Sequence, residues 1–123
     1  MAGQSFESLS VYKSCRLFRR KISNLVRSNF PEREKYLLSK QIISSSRSIT
    51  ANLAEGHGRF HIKENIQFCR ISRGSLTESL DHLYCALDEN YISDKELNDL
   101  KQDYNNCLKQ LNGYIKYLKN QNK

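Results

Sequence analysis

One proline, no tryptophan and only five glycines punctuate the 123 residues. With so few breakers the chain is free to form long uninterrupted elements, which favours helices. No apolar run approaches the roughly 20 residues that span a bilayer. The stretch from Met1 to Tyr12 lacks the charged-then-apolar order of a signal peptide, so a cytoplasmic protein is expected. There is no CxxC, and no Cys/His spacing suits zinc. The four cysteines (Cys15, Cys69, Cys85, Cys107) are far apart and sit among apolar residues at helical spacing. They read as small core hydrophobes, with a disulfide or a reactive thiol as the alternative.

Motifs of catalysis are also missing. There is no HExxH and no GxxxxGK[ST] phosphate loop, and Gly56-His57-Gly58 is too short for a nucleotide fingerprint. His57 and His61 are four apart but lack an acidic pair arranged for metal. Glu78 and His82 miss the Glu-x-x-His spacing of ferritin-like bundles by one position, and the facing partner pair is absent. Asn52, Glu55, His57 and Arg59 can be drawn as an acid/base cluster, but a polar cluster that orders a helix junction fits them better. No enzyme activity, metal or cofactor is expected. A membrane-lying helix is not expected either, because every apolar stripe is needed for a core.

What is present is helical periodicity. The length fits a single domain over residues 1–123. Segment one, about 6–28, carries Val11, Cys15, Phe18, Ile22 and Leu25 every three or four residues. Asn29-Phe30-Pro31 breaks it, and Glu32 and Glu34 suit the start of the next helix. Segment two, about 31–55, has Leu38, Ile42, Ser45, Ile49 and Leu53 inward, and Gly56 as its natural stop. Segment three, about 61–89, runs through Ile62, Ile66, Cys69, Leu76, Leu80, Leu83 and Leu87. Segment four, about 93–119, opens with the capping box Ser93-x-x-Glu96. It continues with Leu97, Leu100, Tyr104, Cys107, Leu111, Tyr114 and Leu118, and a polar tail is expected to fray.

Short connections force neighbours to run antiparallel, so the expected fold is an all-α, antiparallel up-down-up-down four-helix bundle. Folding back at each loop places Cys15 near Ser45, Ser45 near Arg73, and Arg73 near Leu111. At that level Ser44-Ser45-Ser46 faces Arg73-Gly74-Ser75. Small residues let helices approach, which predicts a tight waist at Gly74; a polar pocket is the alternative. A helical glycine costs about 1 kcal/mol against alanine, which a close contact could offset.

The net charge is +7, and it is uneven. Residues 1–30 hold six Lys/Arg against one acid, residues 61–92 three against five. The excess falls on Lys13, Arg16, Arg19, Arg20, Lys21 and Arg27, largely off the apolar stripe. Such a face attracts polyanions, nucleic acid or an acidic partner; the alternative is a solvated face that only keeps the protein soluble.

The chain also carries a longer signature. It reads Phe30-Pro31-x-x-Glu34, then Leu37, Gln41 and Arg47, then Ser48-Ile49-x-x-Asn52-Leu53-Ala54-Glu55-Gly56-x-Gly58-Arg59. Phe68, Arg70, Ile71 and Arg73-Gly74-Ser75-Leu76-x-Glu78 follow. This combination resembles the four-helix bundle proteins encoded by intervening sequences in bacterial 23S ribosomal RNA genes. The accessory variability determinant of diversity-generating retroelements is similar in structure. Thr50, Ala51 and His57 depart from the pattern.

The resemblance implies a homopentameric barrel that binds RNA or DNA through a basic surface, with a reverse transcriptase as a partner in the retroelement branch. Five copies at +7 would carry roughly +35, enough for strongly salt-dependent binding. The runner-up is a structural or protein-interaction ring without specific nucleic-acid binding. Asn52, Glu55, Gly56, Gly58, Arg59, Arg73 and Gly74 are expected to serve structure and assembly. Asn52 and Glu55 would fix the turn or a contact between subunits, and the two glycines after them would let the chain reverse.

Overall fold

A computed structural model describes residues 5–121; the first four residues of the stretch read for a signal peptide lie outside them. Four helices form the molecule: α1 (Ser10–Asn29), α2 (Leu38–His57), α3 (Ile62–Asp88) and α4 (Asp94–Gln121). No strand occurs among the described residues. The 27 residues of α3 make it about 40 Å long.

Cross-helix contacts fix the direction of each helix. Ser14 and Lys21 of α1 meet Gln110 and Asp103 of α4. Ser45 and Ser48 of α2 meet Ser79 and Ser75 of α3. Arg73 and Thr77 of α3 meet Asn112 and Tyr104 of α4. In each pair one number rises as the other falls, so the neighbours are antiparallel and the expected bundle is observed.

The core is the sum of the four stripes. Phe18, Ile22, Ile42, Ile49, Leu76, Leu83 and Leu111 are completely shielded, each contributing roughly 1.5–3 kcal/mol by leaving water. All five inward positions expected of α2 are buried. In α3 the buried stripe also takes Ser72, Ser79 and Ala86, while Leu80 and Leu87 are only half-buried. At the end of α4, Ile115 is buried in the place expected for Tyr114, because the 3.6-residue helix drifts off a strict heptad.

Two helices begin later than the periodicity predicts. Phe6–Ser8 is a lone 3₁₀ turn, and extended backbone at Leu9 separates it from α1. Glu32–Glu34 is a second 3₁₀ turn, so α2 starts at Leu38, not near Pro31. The cause is Glu34. Its Oε1 accepts the Leu38 backbone N–H at 3.1 Å and its Oε2 accepts the Tyr91 hydroxyl at 2.6 Å. The carboxylate therefore caps α2 from the preceding turn: it takes the Leu38 N–H that a continuous helix would give to the Glu34 carbonyl, and the backbone breaks at Leu37 (φ −117°, ψ −109°). The longer α1–α2 loop shifts the register of that pair, with Arg19 against Thr50, so Cys15 is not level with Ser45 as expected. The offset of α3 along α2 also differs: Ser45 meets Ser79, six residues from the expected Arg73. The Arg73–Leu111 level is as expected, with Arg73 donating to Asn112 at 2.8 Å.

The capping box of α4 forms as read. Ser93 N–H donates to Glu96 Oε1 at 2.9 Å and Glu96 N–H to Ser93 Oγ at 3.1 Å. The end of α3 is closed by left-handed Asn90 (φ 63°), with Tyr91 N–H bonded back to the Ala86 carbonyl.

The waist lies elsewhere than predicted. Gly74 is exposed, and a Cβ built on it would meet nothing within 4 Å. The close approach is at Gly56, where a Cβ would stand 2.8 Å from both Asn65 Oδ1 and Phe68 Cβ. Buried serines continue this contact along α2 and α3. Ser72 Oγ donates to the Ile49 carbonyl at 2.7 Å, and Ser45 and Ser79 share a hydrogen bond of 2.8 Å. Every one of these hydroxyls has a partner, so the serines bring helices together without stranding polar groups.

Candidate nucleic-acid interface

Lys13, Arg16, Arg20 and Arg27 are spaced by three, four and seven residues, so they share one stripe of α1. That stripe points away from the core and all four side chains are exposed. None has a carboxylate within ion-pair distance among the described residues. Arg27 is instead steadied by Ser23 and Asn24 on its own helix.

The other two predicted cations lie on the flanks of α1. Lys21 turns to α4 and pairs with Asp103 at 2.8 Å, which neutralises much of its pull on an outside anion. Arg19 turns to α2, is half-buried, and donates to Thr50 Oγ1 at 2.9 Å.

A groove that the periodicity did not reveal runs along α2; α1 walls its first half, and its second half lies on α2 and the turn before it. One hollow of about 550 Å³ is lined by Phe6, Tyr12, Arg19, Arg20, Ile43, Arg47 and Thr50, among others. A second, of about 560 Å³, is lined by Lys35, Tyr36, Ser39, Lys40, Ile43, Ser44 and Arg47. The two share Ile43 and Arg47, and neither lining contains a carboxylate. Lys40 and Arg47 therefore extend the basic surface onto α2, which counting charge on the first segment missed. Their seven-residue spacing was the available signal, since it puts them on one face of α2.

Charge is segregated on a larger scale too. Residues 1–60 hold 11 Lys/Arg against four acids, and residues 61–123 hold nine against nine. The whole excess thus belongs to the α1–α2 half of the bundle.

The Asn52–Arg59 run forms a junction. Asn52 Nδ2 donates to the Ser48 carbonyl and hydroxyl at 2.8 and 2.9 Å, inside α2. Arg59 bridges the α2–α3 turn, 2.9 Å from Glu55 and 3.5 Å from Glu64, and its guanidinium lies 5.1 Å from the Phe68 ring centroid. The glycines do not reverse the chain as expected. Gly56 is buried within α2, and Gly58 has ordinary right-handed backbone (φ −77°). The left-handed residue of the turn is Phe60, at φ 64°.

The cysteines divide three to one. Cys15, Cys69 and Cys107 are buried, as expected of core residues, but Cys85 is exposed. That corrects the reading for Cys85, which falls on the outer face of α3. All four are free thiols. Hydrogen bonding to Cys107, together with burial, pushes the Cys15 thiol far up, and burial raises Cys69 to about 11. Thiols so disfavoured as thiolates are poor nucleophiles. Among the described residues no group of three or more His, Cys, Asp or Glu could hold a metal ion. No helix there is long and apolar enough to cross a membrane.

Comparison with known proteins places this geometry in a family. A crystal structure from Bacteroides thetaiotaomicron, described as a protein of unknown function from the S23 ribosomal protein family, superposes with a TM-score of 0.79. It is 25% identical, and the alignment covers 86% of this chain and 95% of that one. No functionally curated protein matches. The profile of the 23S rRNA-intervening sequence proteins matches residues 7–113, from the first 3₁₀ turn into the second half of α4. With most of its length so matched, the chain belongs to the 23S rRNA-intervening sequence protein family.

Proposed function

We propose that this protein is a non-enzymatic accessory protein that binds nucleic acid, RNA or DNA, through the α1–α2 side of the bundle. The observation that carries the reading is the stripe Lys13, Arg16, Arg20 and Arg27: four exposed cations on one line, none engaged by a carboxylate among the described residues. Unpaired cations release counterions when they meet phosphates, whereas a paired one such as Lys21 must first give up Asp103. The working form is a homo-oligomer, a pentamer by family resemblance, which multiplies the basic surface. A reverse transcriptase is its protein partner if the retroelement branch applies.

The test is salt-dependent binding of a structured RNA. Replacing Lys13, Arg16, Arg20 and Arg27 by Glu should abolish binding in a protein that keeps its helical circular dichroism. Binding by the parent should fall with salt at a log–log slope of roughly −0.7 to −0.9 per phosphate neutralised. Affinity no higher than that of an unrelated protein of similar charge would overturn the reading. It would favour an interaction ring, for which exposed Phe60 (94%), Leu37 (61%) and Tyr117 (56%) supply apolar surface. Light scattering decides the assembly, and a clean monomer removes the ring.

A further inference from the structure

The groove along α2 differs in kind from the stripe beside it. The stripe is a row of cations on a convex helix face. The groove combines cations with rings and apolar surface: Arg19, Arg20, Lys40 and Arg47 with Tyr12 near one end and Tyr36 near the other. Its track follows α2 from Ala54 to Ser39, about 22 Å, and continues onto Tyr36 in the preceding turn. In the Arg19–Thr50 half it lies between packed helices with axes about 8–10 Å apart and is narrow; the Tyr36 half is an open hollow.

These dimensions select among polyanions. A duplex is too wide to enter and can present phosphates only to the rims. Arg19 would then be out of reach, since it is half-buried and held against Thr50 on the floor. A single strand can enter edge-on, with phosphates on the rim cations and unstacked bases turned toward rings and apolar side chains. Tyr36 is suited to this. Its ring is 76% exposed, and the Lys35 ammonium lies 5.5 Å from the ring centroid. A base stacked on that ring would bring its phosphate beside a cation. Ile43 and Ala51 offer apolar contact, and stacking on a ring is tolerant of sequence because every base has a π-face.

We infer that the groove along α2 is a binding track for single-stranded nucleic acid, with Tyr36 a stacking platform at its open end and Arg47, which lines both halves, a phosphate contact midway along it. The inference rests on the nucleic-acid reading above and sharpens it to strand state and place.

The experiment is fluorescence anisotropy on the full-length protein with a labelled mixed-sequence RNA of about 12 nucleotides. The strand is measured alone, annealed to its complement, and as the equivalent DNA. The single strand should bind at least about tenfold more tightly than the duplex. Tyr36→Ala should weaken single-strand binding by roughly fivefold or more and leave duplex binding within about twofold, whereas Arg47→Gln should weaken single-strand binding by roughly fivefold or more and duplex binding as well. Both side chains are exposed, and unchanged thermal unfolding would verify that the variants fold. Equal affinity for strand and duplex, or single-strand affinity indifferent to both substitutions, would overturn the groove while leaving the general reading intact. Binding of no probe above an unrelated basic protein would overturn both. A DNA strand bound as tightly as RNA supports the track and places its specificity in strand state, not sugar.

Discussion

Gly56 of α2 lies so close to α3 that a Cβ on it would stand 2.8 Å from Asn65 Oδ1. Asn65 is itself fixed, donating through Nδ2 to the Tyr114 hydroxyl of α4 at 3.3 Å. The glycine thus sets how near α2 and α3 approach, and through Asn65 the contact extends to α4.

A methyl group at this point should be resisted. Gly56→Ala is expected to destabilise the protein by about 1–3 kcal/mol through overpacking, despite the better helix propensity of alanine. Gly74→Ala is the control. Its Cβ would meet nothing within 4 Å, so propensity should prevail and raise stability by about 0.5–1 kcal/mol. Urea unfolding of the two variants should give shifts of opposite sign; a stabilised Gly56→Ala would refute the close approach.

The Glu34–Tyr91 hydrogen bond ties the α1–α2 loop to the α3–α4 loop. The Tyr91 hydroxyl and the Leu38 N–H hold the Glu34 carboxyl below its ordinary value. The backbone N–H of Ser93, with Asn29, does the same for Glu96. A carboxyl depressed in the folded state contributes stability that is full above its unfolded value, near 4.5, and is lost as pH falls through the lower folded one. Thermal unfolding midpoints should therefore drop below about pH 4.5. Glu34→Gln and Glu96→Gln should each lower the midpoint at pH 7 and flatten that acid limb. A parallel acid limb in both variants would show that neither contact contributes.

Thiol labelling should separate the cysteines. Only Cys85 is exposed; Cys15, Cys69 and Cys107 are buried. One thiol per chain should react in the native protein and four after unfolding. Burial and the nearby Asp81, Asp88 and Glu89 raise the Cys85 thiol, so its rate at neutral pH should be below that of a free cysteine and climb with pH. Mass spectrometry would identify the labelled site, and native labelling of Cys15 or Cys107 would contradict the core packing.

Phe60 combines a left-handed backbone with 94% exposure. A bulky residue there is strained by about 1–2 kcal/mol and buries almost nothing within the chain to offset it. Phe60→Gly should raise the urea midpoint by up to about 1 kcal/mol equivalent. A fall in stability together with a change in oligomer size would instead assign the ring to a contact between copies.

The sequence by itself determined the helices, the inward face of each and the family. Those properties are local: a three-to-four spacing such as Val11-Cys15-Phe18-Ile22 allows only one buried stripe, and Ser93-x-x-Glu96 closes a cap within four residues. It also located the α1 cations, because charges excluded from an apolar stripe must lie outside. The tertiary structure decided what depends on how the stripes meet. It moved the close approach from Gly74 to Gly56, because the way α3 lies along α2 puts Gly56 against Asn65 and Phe68 and leaves Gly74 exposed. It paired Lys21 with Asp103 across 82 residues. It brought Arg19 and Arg20 of one helix beside Arg47 of the next in a single groove. Periodicity along one helix carries no term for the rotation and offset of its neighbour, and a groove exists only between two.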